Sequence, residues 1–331
     1  MAGALVAWAA ARLAGADRLR FAEAWTVPLL SFTPQAAGAA WVSAMLLRNK
    51  GAAAAAAIAG SALAAAVGPR AIPSRQPAAA GPVLRVLTAN LLAGRAAADA
   101  VVELADRRQA DVLFTQELTC EAAASLKRAG LSDLLAHQVT QPMAEGTRGS
   151  GIYARHPLSG GPPGLLFSAT RCTARLDLPS GQSVQLVCIH APAPKPPQAP
   201  RAAARWRAEL SALPPPGDIP LILAGDFNAT LDHVQFRRLL RGGYVDAASQ
   251  TGNGLALTWG PQPRWGPALL AIDHVLTDRR CAVLTTSAHR VPGTDHRALY
   301  AELRLPAPRS PMPAIADQPH NSGAAHPWTH T

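Results

Sequence analysis

The chain has 331 residues, 49% hydrophobic and 16% charged, with a formal net charge of +10, which excludes a wholly disordered polypeptide. Aromatic residues, at 5%, are too sparse for base-stacking platforms, and four scattered cysteines without CxxC or Cys/His spacing exclude a disulfide scaffold or a structural zinc site. Residues 1–80 carry seven cations against two anions and the remaining 251 carry 24 against 19, a distribution that argues against an electrostatic clamp for long nucleic acid.

In chain order, residues 1–69 are predicted to be a membrane segment. Ala24 to Leu47 is 24 residues without a charge, and Gly51 to Pro69 is 19 more. A helix of 19 residues is about 28 Å long, close to the thickness of bilayer hydrocarbon. Between the runs, Arg48-Asn49-Lys50 reads as a tight positive turn, and Met1 to Ala11 is a weaker apolar run stopped by Arg12, so two to three transmembrane helices are expected. Two long runs in tandem do not fit a signal peptide. Pro28 and Pro34 would disturb a soluble alanine-rich hairpin. The positive-inside bias keeps residues 48–50 cytoplasmic and places the rest of the chain outside. The expectation is a multi-pass protein of the cell membrane, with the lipid bilayer as partner, an extracytoplasmic domain and no obligate protein partner. Residues 70–82 are rich in proline and alanine and read as a linker.

Residues 83–305 alternate strand and helix signals. Val83 to Leu92, Asp111 to Leu118, Ile219 to Ala224 and Leu269 to Leu276 have the apolar content of strands, and Arg171 to Leu178 and Ser183 to His190 flank a Pro179-Ser180-Gly181 turn as a hairpin. Ala96 to Gln109, Arg201 to Leu213 and Asp232 to Arg241 have helical spacing. Together they imply an α/β sandwich of two sheets covered by helices. Residues 306–331, rich in proline and without apolar periodicity, read as a disordered tail.

Polar residues recur where these strands end. Asn90 and Glu117 close the first two, His190 closes a third, and Asp226 and Asn228 follow a fourth, sharing a face because they are two apart. Asp273 interrupts an apolar run, and Asp295-His296 precedes the last strand. Single carboxylates at strand ends commonly cap turns, but several such positions in this order are hard to ascribe to turns alone.

The blocks TANLL, TQE, IH, GDFN, IDHV and GTDH, in this order between Val83 and Leu305, resemble the signatures of the endonuclease/exonuclease/phosphatase superfamily with its DNase I-like fold, here of a membrane-anchored bacterial type. The resemblance implies a four-layered α/β sandwich and a Mg²⁺- or Mn²⁺-dependent hydrolase acting on phosphoester bonds. It places Glu117, with Asn90 beside it, at the main metal position and Asp295 at a second. Asp226 would orient or deprotonate the attacking water, and Asn228 would hydrogen-bond the phosphoryl group or that water. His296 and His190 would contact the phosphate, with Asp273 fixing the His296 tautomer. Thr294 stands where the family commonly has serine.

Several residues keep two readings. Cys172 and Cys188 are either a cross-strand disulfide or buried thiols. Trp206, Trp259 and Trp265 form a substrate rim or core packing, and Arg237, Arg238 and Arg241 face an anionic substrate or solvent. Arg155 and His156 are structural or functional. The expected activity is a membrane-anchored phosphodiester hydrolase acting on a phospholipid headgroup or a nucleic acid, the alternatives being a membrane-tethered nuclease and an idle module of the same fold that only binds a phosphorylated ligand.

Overall fold

The computed structural model describes residues 1–20, 22–160, 172–194, 199–260 and 267–308. The chain begins with four helices, α1 (Ala2–Ala14), α2 (Glu23–Leu30), α3 (Thr33–Leu46) and α4 (Lys50–Val67), followed by the α/β domain. Its elements are β1 (Val83–Asn90), α5 (Ala98–Arg107), β2 (Val112–Gln116), α6 (Cys120–Arg128), α7 (Leu131–Leu134), β3 (His137–Gln141), β4 (Ser150–Ala154), β5 (Leu158–Gly160), β6 (Thr173–Asp177) and β7 (Ser183–His190). They continue with α8 (Ala199–Ser211), β8 (Leu221–Asp226), α9 (Val234–Arg241), β9 (Tyr244–Asp246), α10 (Ala247–Gln250), β10 (Asp273–Asp278), β11 (Ala282–Arg290) and β12 (Arg297–Arg304).

Two six-stranded sheets result, in the orders β11-β12-β1-β2-β4-β3 and β5-β6-β7-β8-β10-β9. In each, the central pair is parallel, β1 with β2 and β7 with β8, and the other pairs are antiparallel. Alternation along the strands makes the layers. Leu84, Val86, Val112 and Phe114 of one sheet meet Val184, Leu186, Ile222 and Ala224 of the other in the central core. The opposite faces bury Leu87 and Leu113 against α5 and α6, and Val187 and Leu223 against Trp206 of α8 and Phe236 of α9. The expected sandwich is present. The strand expected at Leu269–Leu276 starts at Asp273 instead, because Leu269 and Leu270 bond the Trp259 backbone.

The N-terminal part corrects the expectation in two places. The uncharged run from Ala24 to Leu47 is not one helix: Ser31 and Phe32 separate α2 from α3, Pro28 lies inside α2 and Pro34 opens α3. In that first turn a missing N–H costs nothing. Helix α2 joins the α/β core, with Val27 at 1% exposure beside Trp206 and with Glu23 paired to Arg207. Helices α1, α3 and α4 pack on one another through Leu5, Ala9, Ala40, Ala59 and Leu63. Among the described residues one helix is long and apolar enough to cross a membrane, Lys50–Ala71, with mean hydropathy 1.7. The residues expected as a free linker are tied to the domain. Gly254 N–H donates to Arg70 O at 3.0 Å, Ser74 N–H to Gln250 O at 3.0 Å and Val283 N–H to Gln76 Oε1 at 2.8 Å.

The junction is ionic. Asp232, fully buried, accepts Arg12 Nε at 2.6 Å and Arg70 Nη1 and Nη2 at 2.8 and 2.6 Å. Asp17 Oδ2 accepts the Val234 N–H at 2.6 Å, and Gln35 Nε2 donates to Leu269 O at 2.6 Å. The end of α1, the start of α3 and the residues after α4 therefore all face the α/β domain. The turn between α3 and α4 lies at the far end, where the Asn49 side chain caps α4 by accepting the Ala52 N–H. The tail from residue 309 onward, with Arg171 and Trp265, lies outside the described residues.

Candidate active site

The parity that builds the core also builds the site. Continuing the inward positions of each central strand in steps of two gives Asn90 on β1, Gln116 on β2, His190 on β7 and Asp226 on β8. All four therefore face the seam between the sheets. The parallel registers place Asn90 beside Gln116 and His190 beside Asp226. Glu117 is out of parity, and its left-handed backbone, φ 57°, turns its carboxylate back toward the cleft. Asn228, at φ 45°, is bent the same way. Such strain is held only where the surroundings fix it, and it gathers at functional sites. Gly225 allows a close approach of two backbones: a Cβ there would lie 2.0 Å from Ile189 O, at φ +143°.

The eight residues singled out in the sequence come together. Asn90 Nδ2 donates to Glu117 Oε1 at 3.4 Å and to Asp226 Oδ2 at 3.1 Å. Glu117 Oε2 accepts the Ala93 N–H at 2.7 Å, and His190 Nε2 lies 3.7 Å from Glu117 Oε1 and 3.9 Å from Asp226 Oδ2. Asn228 donates its backbone N–H to Asp226 Oδ1 at 2.8 Å and its amide to Ala191 O at 2.8 Å. His296 Nδ1 lies 2.9 Å from Asp273 Oδ2, which leaves Nε2 facing Asp226 Oδ2 at 3.8 Å and Asp295 Oδ1 at 3.9 Å.

Electrostatics separates the two histidines. Burial pushes His296 down, but Asp273, Asp226 and Asp295 outweigh it and raise the imidazole to about 9. For His190 burial wins and the imidazole is pushed below its usual value. Burial, with Asp273 next, lifts Asp226 to about 6, and burial also raises Glu117 against the pull of the Ala93 N–H. One imidazole is charged at neutral pH and the other is not.

The donor set fits a hard divalent cation. Glu117, Asp226 and Asp273 are buried, and Asp295 Oδ1 is buried without a hydrogen-bond partner among the described residues. Asp226, Asp273 and His296 offer ligand atoms within 4.8 Å of one another. Ligation by both Asp273 and His296 would compete with the hydrogen bond between them, which leaves Glu117, Asp226 and Asp295 as the available oxygens. Asn90 points its amide N–H groups at two of these carboxylates while its oxygen accepts the Leu92 N–H at 3.0 Å. It would reach a cation only with the amide turned over.

Other parts of the site were visible in the sequence only as residues without a settled role, or not at all. Trp259 Nε1 donates to Asp295 Oδ2 at 3.1 Å, so this tryptophan supports the site directly. Thr258 Oγ1 accepts the N–H groups of Ile272 and Asp273, both at 3.1 Å, and Thr294 Oγ1 donates to Asn90 O at 2.9 Å. Trp259 and Thr294 were singled out in the sequence without these bonds, and Thr258 carried no signal. Trp206 is core, 2% exposed, with Nε1 on Phe227 O at 3.0 Å. Arg237 takes neither expected role: it holds the carbonyls of Leu231 and Asp232. Arg155 pairs with Asp111 at 3.5 Å. Cys172 and Cys188 are buried free thiols.

Solved structures share the fold at low identity. An endonuclease/exonuclease/phosphatase from Beutenbergia cavernae is 17% identical, with a TM-score of 0.50, over 68% of this chain and 72% of its own. An AP endonuclease from Archaeoglobus fulgidus is 15% identical, also with a TM-score of 0.50, over 66% of this chain and 98% of its own. No curated protein sequence matches the chain. The family model described as "Endonuclease/Exonuclease/phosphatase family" matches residues 87–296. That stretch is more than half of the chain, starting inside β1 and stopping at His296. It encloses the whole carboxylate and histidine cluster, and the chain belongs to this family.

Proposed function

We propose that the protein is a membrane-anchored phosphodiester hydrolase, dependent on Mg²⁺ or Mn²⁺, that acts on a lipid phosphodiester outside the cytoplasm. The observation that carries the chemistry is the facing pair of Asp226 Oδ2 and His296 Nε2, 3.8 Å apart, with Asp273 behind the imidazole. A proton acceptor and a cationic donor side by side suit activation of a water next to a phosphate whose growing charge the donor neutralises. Asp226 takes the proton of the water, held in line by its bonds from Asn90 and Asn228. His296 directs its Nε2–H at the phosphoryl oxygens where negative charge grows. His190, neutral, adds a hydrogen bond on the other side. Glu117 and Asp295 would hold a divalent ion, which would supply further neutralisation of that charge.

The anchor is supported by what the first helices leave uncovered. Of the 15 large hydrophobic residues exposed among those described, 12 lie in residues 1–72, including Trp25, Trp41, Met45, Leu46 and Ile58. An apolar surface of that extent on one end of a molecule fits lipid better than water. With the Arg48–Lys50 turn at the end away from the α/β domain, the positive-inside bias favours an extracytoplasmic domain. A cleft held at the bilayer and a nearly charge-balanced domain favour a lipid over a nucleic acid.

The test uses the full chain in detergent with a chromogenic phosphodiester and with phospholipids, DNA and RNA. Activity should vanish in EDTA and return with Mg²⁺ or Mn²⁺, and Glu117→Gln should raise the half-saturating metal concentration at least tenfold while lowering turnover. Undiminished activity in excess EDTA would overturn the metal assignment. Cleavage of DNA or RNA in place of lipid would overturn the substrate class. A reporter active only outside the membrane should work when fused after residue 308 and be silent when fused at 48–50.

A further inference from the structure

Beside the membrane-facing helices lies a second cavity of about 310 Å³ that plays no part in the chemistry above. Four guanidinium groups from three separate parts of the chain line it: Arg18 and Arg20 from the stretch joining α1 to α2, Arg207 from α8 and Arg238 from α9. The single carboxylate among its lining residues is Asp17, whose Oδ2 is taken by the Val234 N–H. Arg207 is paired with Glu23. Four cations against one carboxylate among the lining residues leave the wall of this concave space net positive. The surroundings of the cavity set its depth. Leu13, Leu19, Trp25 and Leu29 lie on the adjoining helices and their connection and are 59%, 47%, 69% and 51% exposed. An apolar face ending in tryptophan beside arginines is the pattern of a water–lipid boundary.

We infer that this cavity binds the phosphate of an anionic phospholipid headgroup. The inference rests on the membrane reading above but not on catalysis. Guanidinium groups match phosphate oxygens in pairs, and cations near an anionic surface contribute additively to lipid attraction. Asp17 holds the first N–H of α9, and Arg237 of the same helix holds the carbonyls of Leu231 and Asp232 at the end of the loop that follows Asn228. A lipid in the cavity would therefore sit against the joint between anchor and active site.

The experiment titrates the detergent-solubilised full chain with phosphatidylglycerol or phosphatidylcholine of identical acyl chains and reads bound lipid by native mass spectrometry. Phosphatidylglycerol should bind at least tenfold more tightly, and the double variant Arg20→Ala/Arg238→Ala should lose that preference while keeping the parent's affinity for phosphatidylcholine. Both side chains are exposed, so folding should survive, as an unchanged Tm would verify. If it does not, Arg20→Lys/Arg238→Lys, which keeps the charges, should retain the preference. Equal affinity of the parent for both lipids, or a preference that survives in the alanine variant, would overturn the site. Full competition by inorganic phosphate or glycerophosphate at millimolar concentration would make it a soluble-phosphate site and overturn the lipid assignment. Because binding is read without turnover, an inactive protein that still selects phosphatidylglycerol would count against the proposed hydrolase alone.

Discussion

His296→Ala is expected to lower kcat by about 10²–10⁴-fold, the range for losing a positioned proton donor or acceptor. Asp273→Asn should lose most of the same factor, and the double variant little more. The reason is geometric: His296 Nδ1 is 2.9 Å from Asp273 Oδ2, and only a carboxylate there both selects the tautomer and keeps the ring charged. An asparagine accepts one bond but carries no charge, so the imidazole would drop from about 9 toward its ordinary range. Steady-state kinetics of the three variants decides the matter, with Tm as a check because Thr258 also holds the Asp273 backbone. Losses that multiply in the double variant would show that the two residues act independently.

Asp232→Ala should be the most destabilising single change at the junction between the helices and the domain. It leaves Arg12 and Arg70, each 7% exposed, without their shared carboxylate. Breaking a buried ion pair from one side costs about 3–5 kcal/mol, visible as a large fall in Tm. The pH dependence has a definite sign. Burial works to raise the Asp232 carboxyl, but hydrogen bonds and charge from Arg70 and Arg12 hold it below its usual value. A depressed carboxylate contributes stability that is complete above its unfolded value of about 4 and is lost as pH falls through the lower folded value. Asp232→Asn should therefore flatten the acid limb of a Tm-against-pH curve. A limb identical to the parent's would refute the assignment.

How far the sequence could be read depended on where the information lies. The sheets were legible because strand alternation is local: Val83 to Asn90 alternates between two apolar faces whether or not its neighbours are known. The site residues were legible because each stands at the polar end of such a strand. Trp259 was not, since its role depends on a bond to Asp295 that pairs residues 36 apart. The run Ala24–Leu47 misled because absence of charge says nothing about continuity. Its fate was set by Val27 finding a place beside Trp206 in a core built from residues nearly 200 positions away. Residues 70–82 read as a linker from composition, whereas Arg70 is fixed by an aspartate that sequence alone assigned to a helix.

The antiparallel pairing of β1 with β12 sets Val83 opposite Arg304 and Thr88 opposite Leu299. The first strand to leave the ribosome after the apolar helices thus waits for the last one before its sheet can close. Contacts so distant in sequence form late, after the loop-closure entropy has been met. Asn90 sits at the end of the early strand and His296 immediately before the late one, so the reactive cluster is assembled only when nearly the whole domain has been made. If the proposed outward orientation holds, the hydrolase would stay inert during passage and begin work only once the whole domain has crossed.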